Sequence, residues 1–379
     1  MIAEHNAGVI RLRTGTVVAI LEERPGAVEL SVSVDGDTEL SGAIAYPDMV
    51  GPVAPGDRVR LNTTAVALGL GTGGLHLVIG VEGTDALDPA TDGRIMKLRY
   101  TPQQVNVLSV EEPSGPHAAA MAAAKSLGGM PVVWVPLHSM LAPAAAGATV
   151  AGAERVAYVM TDHAALPAPL SRLLARLRAA DLVAASITSG QAFGGDLEAV
   201  TLFSALLAAR HVVQADVAII GDGPGNTGTA TAWGTTVLES AFALDAAAAL
   251  GGRPVAALRV SFADERPRHQ GVSHHSLTAL SRVTRTPAHV AVPSLPEGDQ
   301  RDRIWRALRG AELETRHQLV EAPGEPALDL LRDRGVEVTS MGRGPADDPA
   351  FFLAAGAAGV LAGRMAARDR VWRRAPAPE

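Results

Sequence analysis

The feature that most constrains this chain is an event that it repeats: an apolar, strand-length run ends in a loop of Gly, Asp, His, Ser or Thr, and a helical pattern then begins. The clearest case is Ala215-Asp-Val-Ala-Ile-Ile220, then Gly221-Asp-Gly-Pro-Gly-Asn-Thr-Gly-Thr229, then a helix-like stretch from about Thr235. Strands alternating with helices pair in parallel through right-handed crossovers, which implies a doubly wound, mostly parallel sheet. All carboxyl ends of such strands lie at one edge, where loops and helix N-termini collect ligands. From residue 95 onward the pattern gives strands near 132–136, 155–160, 183–188, 215–220, 254–260, 288–292 and 336–339. It gives helices near 116–127, 168–180, 196–211, 235–250, 274–283, 300–310, 325–334 and 349–362. Within 168–180, Leu170, Leu173, Leu174 and Leu177 form one apolar stripe, with Arg172, Arg176 and Arg178 off it.

Residues 9–82 follow a different grammar. Short β-rich runs at Thr16–Leu21, Ala27–Val34, Gly42–Tyr46, Arg58–Val66 and His76–Val81 are separated by turn formers such as Arg24-Pro25-Gly26, Asp35-Gly36 and Pro55-Gly56-Asp57. A small barrel-like module over 1–90 is expected, then a linker over 83–94 and an α/β sheet domain over 95–379. The chain of 379 residues is 47% hydrophobic but only 3% aromatic, so its core must be built from Ala, Val and Leu. With no cysteine, disulfides and thiolate sites are excluded. The net charge of −7 argues against nucleic acid as a partner. The basic segment Arg364, Arg368, Arg370, Arg373 and Arg374 is read as a solvated terminus. Met1–Asn6 lacks a leader pattern and no uninterrupted apolar run reaches membrane-spanning length, so a cytoplasmic protein without membrane partner is expected, with homo-oligomerisation left open.

Three loops could carry chemistry. Gly223-Pro-Gly225-Asn226-Thr227-Gly228 fits G-x-G-x-x-G after a strand, but its helix starts late and no acidic residue ends the next strand, so a nicotinamide or flavin site is disfavoured. An anion-binding nest of backbone N–H groups, with the Thr227 and Thr229 hydroxyls, stands beside a plain tight turn at even weight. In Ser189–Asp196, Asp196 is expected to cap a helix running through Glu198 to Arg210, and Gln191 to touch a ligand. The stretch Ser261–Ser276 holds His269, His274 and His275, three of eleven histidines, with Asp264, Arg266, Arg268 and Ser273. Such a set can supply acid–base groups, a phosphate clamp or metal ligands; its spacing matches no closed zinc motif, and no metal or cofactor is assigned. Thr161-Asp162-His163 and His138-Ser139 follow two further strands. Asp347 and Asp348, after Gly342-Arg343-Gly344, are expected to cap the last helix.

GQAFGGDLEAV at 190–200, GDGPGNTGT at 221–229 and SFADERPRHQGVSHHSLTAL at 261–280, behind PGDRVRLNTTAVALGLGTGGLHLVI at 55–79, resemble a bacterial family known as domain of unknown function 3866. The resemblance covers almost the whole chain and brings no reaction with it. The family pattern has an apolar residue at the position of Asp222 and a Phe-Ser-Gly-like continuation where this chain has Thr235-Thr236, so Asp222 and Thr235 are not carried over as functional residues.

The sequence points to a small anionic ligand, phosphorylated or nucleotide-like, held at these loops in a transferase or hydrolase. Gly223, Gly225 and Gly228 would allow close backbone approach, and Asn226 and Thr227 would donate hydrogen bonds. Arg268 would neutralise charge and His274 or His275 would move a proton, with His269 or Asp162 fixing the tautomer of His274. The alternative is a non-catalytic interaction or sensor protein whose barrel binds a macromolecule.

Overall fold

The structure is a computed structural model that describes residues 9–374, without 72 and 90 and with only the backbone of 370–374. The expectations for Met1–Asn6 and for the side chains of Arg370, Arg373 and Arg374 lie outside the described residues. The chain forms two compact units, Met1–Asp92 with Leu98–Asn106, and Gly93–Lys97 with Val107–Glu379.

The first unit is a closed five-stranded barrel of β1 (Leu12–Arg24), β2 (Ala27–Val34), β3 (Leu40–Ala45), β4 (Arg58–Asn62) and β5 (Leu75–Val81) in the order β1-β2-β3-β5-β4. The long β1 pairs antiparallel with both β2 and β4, and register shifts between Val17 and Ala19 and between Ile20 and Glu22 bend it. Such bulges let one strand turn a barrel corner. Val17, Leu30, Val32, Ala43, Val59 and Leu61 fill the interior. The run read as a strand from Arg58 to Val66 stops at Asn62, whose side chain accepts from the Thr64 amide as a short helix begins.

Two short strands follow, β6 (Ile95–Lys97) and β7 (Val105–Val107). The second unit then builds one eight-stranded parallel sheet from β8 (Pro131–Trp134), β9 (Val156–Thr161), β10 (Ala185–Thr188), β11 (Leu197–Glu198), β12 (Val217–Asp222), β13 (Arg253–Ala257), β16 (His289–Pro293) and β17 (Gln318–Ala322). A small antiparallel ribbon of β14 (Val260–Ser261) and β15 (Gly271–Val272) lies between β13 and β16 in sequence. The sheet order is β11-β10-β9-β12-β8-β13-β16-β17. Both faces are covered, which explains strands that read as continuous apolar runs. Val132 and Trp134 pack in one core with Ala218 and Ile220, while Val133 and Val135 pack in the other with Val217 and Ile219.

Two expected elements differ. Residues 336–339 form no strand; the eighth strand is β17 at 318–322. The helix expected over 196–211 spans only Leu202–His211, with Thr201 and Ser204 forming a capping box. Asp196 is not a cap: its carboxylate accepts from the Ser186 amide and hydroxyl and pairs with Arg178.

The last helix, Pro349–Arg374, corrects the expectation about apolar runs. Its segment Pro349–Asp369 is long and apolar enough to cross a membrane, yet 78% of the window is buried inside the protein. It packs on the helix Leu141–Val150 through small residues, and a Cβ on Gly359 would fall on the carbonyl oxygen of Ala144. The scarcity of aromatics permits that approach, because Ala and Gly let two helix backbones come close enough to fill the space without large side chains.

Candidate functional site at the carboxyl rim

The chain leaves β8 towards the β9 side of the sheet but leaves β12 towards β13, so the crossovers part at the carboxyl ends of the adjacent strands β8 and β12. A switch of this kind opens a crevice where ligands bind in open α/β sheets. The residue at its centre is Asp222, the last of β12 and 1% exposed. Its Oδ1 accepts from the Thr161 hydroxyl and from His163 Nδ1 at 3.1 Å, and its Oδ2 accepts from Asn226 Nδ2 at 2.5 Å. The Asp222 carboxylate holds the His163 imidazole above its ordinary pKa, outweighing the opposing effect of burial. Setting Asp222 aside on the family pattern is therefore corrected: it organises the loops after β9 and β12.

Below it lies a buried polar layer. The Tyr158 hydroxyl donates to the Asp222 carbonyl at 2.9 Å, and His138 Nδ1 lies 3.2 Å from that hydroxyl, while its Nε2 lies 2.6 Å from Ser171 Oγ. Burial pushes His138 down to about 4, so it is a neutral imidazole at neutral pH, and burial raises the Tyr158 phenol well above its usual value. Neither Tyr158 nor Ser171 stands out in the sequence by spacing. The available signal is that Tyr158, one of only three tyrosines, sits in the middle of an apolar strand, where its hydroxyl needs a partner.

The Gly-rich loop folds on itself. Thr229 N donates to Gly234 O, Thr236 N to Thr227 O, and Thr227 N reaches Thr236 Oγ1, so 227–236 is a small hairpin. Thr229 Oγ1 is engaged with Thr231, and the Asn226 amide is spent on Asp222 and Thr236. The donors expected for an anion nest at Asn226, Thr227 and Thr229 thus hold the loop together. Gly223 is required by close approach, since a Cβ there would lie 2.7 Å from the Ala165 carbonyl oxygen, and Gly225 is required by its φ of +92°. Gln191 sits after β10, and its backbone N donates to Asp162 Oδ2 at 2.8 Å. Asp162 thereby pins the Gln191 loop; among the described residues it makes no hydrogen bond to His274, and the expected Asp162 orienter role is corrected.

The other side of the hairpin meets a histidine cluster. His275 Nε2 lies 3.4 Å from Thr231 O, and His269 Nδ1 lies 2.9 Å from Ser273 Oγ, which also caps the helix His274–Thr278 by accepting from His275 N. The rings of His274 and His275 stack with centroids 4.0 Å apart, and each lies edge-on to His269 at 5.3 Å. Neighbouring helical residues are expected to diverge by about 100°, but these two sit at the start of a five-residue helix, and both rings join the cluster. His269 does not hydrogen-bond His274, so it is not the expected tautomer-fixing partner. Burial, reinforced by nearby guanidinium groups, lowers all three imidazoles: His269 to about 3, His275 to about 4, and His274 also downward.

Those guanidinium groups converge on two carboxylates. Asp264 pairs with Arg259 at 2.9 Å and Arg266 at 2.8 Å, with Arg343 at 3.9 Å; Asp348 lies 3.8 Å from Arg343 and accepts from Ser261 Oγ and Phe262 N. Asp348 therefore ties the β14 loop to the last helix, while Asp347 accepts from Gly344 N within its own turn. Arg266 and Arg259 hold Asp264 well below the usual carboxylate range, and burial brings Arg259 down to about 10. Arg268 has no carboxylate partner among the described residues, and its Nε is buried without a hydrogen bond.

Together these features define a class: a barrel module followed by a doubly wound α/β unit with a polar, histidine-rich rim at its topological switch. Within that class the chain belongs to the family described as "Protein of unknown function (DUF3866)", whose model matches residues 42–359. No curated protein and no solved structure matches this chain.

Proposed function

We propose that this protein binds a small anionic molecule, phosphorylated or nucleotide-like, at the rim beside the 223–236 hairpin, and acts on it as a hydrolase or group transferase. The observation that carries this reading is Arg268. Around the histidine cluster, Arg259, Arg266, Arg268 and Arg343 face only Asp264 and Asp348 as near carboxylates, and Arg268 is the one left unmatched. An unmatched, partly buried guanidinium beside uncharged imidazoles favours an anion, and its planar fork suits phosphate or carboxylate. Exposed Trp233 lies next to His274 in one cleft and next to Phe242 in another, which offers a flat apolar surface to the rest of such a ligand. Across the hairpin, the raised His163 on Asp222 is suited to donate a proton to a leaving group near neutral pH. A cytoplasmic location belongs to the same reading, supported by the cysteine-free composition.

Thermal denaturation of the full chain with pyrophosphate, nucleoside diphosphates and neutral nucleosides tests it. Phosphorylated compounds should stabilise, by about 2.7 kcal/mol at a hundredfold excess over Kd, neutral ones should not, and Arg268→Gln should abolish the effect. No stabilisation by any anion, or an undiminished effect in Arg268→Gln, would refute it.

A second reading, in which the barrel docks on a macromolecule or on another copy, draws on exposed Val18, Ile20, Leu21 and Leu40. Sedimentation and crosslinking of the wild type against Ile20→Ser with Leu21→Ser would test it.

A further inference from the structure

We infer that His269, His274 and His275 form a binding site for one divalent transition ion of the zinc type, with an open coordination position that takes an anionic ligand. One ligand atom from each imidazole lies within 4.8 Å of the others. Bonds of about 2.0–2.1 Å set tetrahedral N···N edges of about 3.3 Å, so the rings need to close by little more than an ångström, within reach of small side-chain rotations. The donor atoms are ready: a neutral imidazole offers a lone pair, and burial keeps these rings neutral. His274 Nε2 is buried with no hydrogen-bond partner, a cost that a bound ion would remove.

The neighbours are those of a metal centre. Ligating histidines use their other ring nitrogen to hold a hydroxyl or carbonyl that fixes the ring; Ser273 Oγ does so for His269 Nδ1, and Thr231 O for His275 Nε2. The remaining His275 Nδ1 edge faces Gly228, where a Cβ would come within 3.5 Å of Nδ1 and 3.1 Å of Cε1. A purely nitrogen donor set selects a zinc-like ion over magnesium or calcium, which take oxygen ligands. Three neutral ligands leave the charge of the ion uncompensated next to Arg268, so the fourth position calls for an anion. This extends the anion-binding reading above and gives the anion a second anchor, but metal binding is read out separately.

The experiment is a titration of chelator-stripped full-length protein with Co2+, followed by its visible d–d absorption, and with Zn2+ by calorimetry. One ion per chain and an intense absorption of low-symmetry Co2+ are expected. His274→Gln and His269→Gln should each lose stoichiometric binding, whereas His211→Gln, at an exposed histidine bonded to Ser126 O, should retain it. Should the cluster variants fail to fold, X-ray absorption of the loaded wild type decides, with three imidazole nitrogens expected in the first shell. No stoichiometric binding by the wild type, a first shell without imidazoles, or unchanged binding in both folded variants would overturn the inference. Pyrophosphate added to stripped and loaded protein separates the two proposals: metal binding with no anion effect sinks only the anion reading, and anion binding with no metal uptake sinks only the metal site.

Discussion

Replacing Asp222 by Asn removes one charge from the centre of the rim while keeping the side chain's shape. Asp222 receives hydrogen bonds from Thr161, His163 and Asn226. With the new carbonyl oxygen turned to Thr161 and His163, its NH2 group meets the NH2 group of Asn226, and Asn226 must flip its amide to relieve two facing donors. The flip forfeits the Asn226 contact to Thr236 Oγ1. The net loss is on the scale of one hydrogen bond to a charged group, about 1.5–3 kcal/mol. At roughly 2–4 °C for each kcal/mol in a large domain, the Tm should fall by about 3–12 °C. The sign of the pH dependence gives a sharper test. His163 is raised in the folded protein, so its pairing with Asp222 stabilises fully below the unfolded histidine pKa, and that contribution is lost as pH rises through the folded value. Asp222→Asn should lower the His163 pKa in an NMR titration and flatten this part of the stability profile between neutral and mildly alkaline pH. An unchanged His163 titration, with a Tm equal to wild type, would refute the account of Asp222 as the organising group.

Lys97, fully buried, donates to the carbonyls of Thr188, Ala192 and Ala199 and pairs with Glu198 at 2.8 Å, so Lys97→Ala should cost about 3–5 kcal/mol in chemical denaturation, and Lys97→Met less. On acidification two groups act in the same direction. Asp264, depressed by Arg266 and Arg259, stabilises above the ordinary carboxylate pKa and loses this as pH falls through it. His138, depressed to about 4, makes the unfolded state the stronger proton binder from about pH 6.5 down to 4. Denaturation curves should therefore show stability declining from pH 6.5 downward, with a smaller decline below pH 6.5 in Asp264→Asn. Gly225→Val should cost stability through its φ of +92° alone, about 1–2 kcal/mol, since no atom lies near its Cβ; a loss well beyond that would mean that the site tolerates no side chain. Gly359→Val should be far more damaging, because its side chain would enter the backbone of the helix Leu141–Val150, and soluble folded protein at wild-type yield would count against that packing.

The sequence alone determined the two grammars, period two in the first ninety residues and strand–loop–helix after them, and through these the barrel, the parallel sheet and the rim on which the loops gather. It also exposed the histidine cluster, because His269, His274 and His275 are local in the chain. Only the tertiary structure decided where partners exist. Val336 and Val338 carry the alternation of a strand, but no neighbouring strand is offered to them, whereas Gln318–Ala322, half exposed and weakly apolar, pairs along the edge of β16. Asp222 lay just past an apolar run and looked dispensable; its donors Thr161 and His163 are 61 and 59 residues away in the chain and meet it only because β9 and β12 are neighbours. The Gly-rich loop showed donors enough for an anion, and folding spent them on its own hairpin. A sequence records which groups can form hydrogen bonds and ion pairs, but long-range strand order selects which of those groups find each other and which, like Arg268, are left for something else.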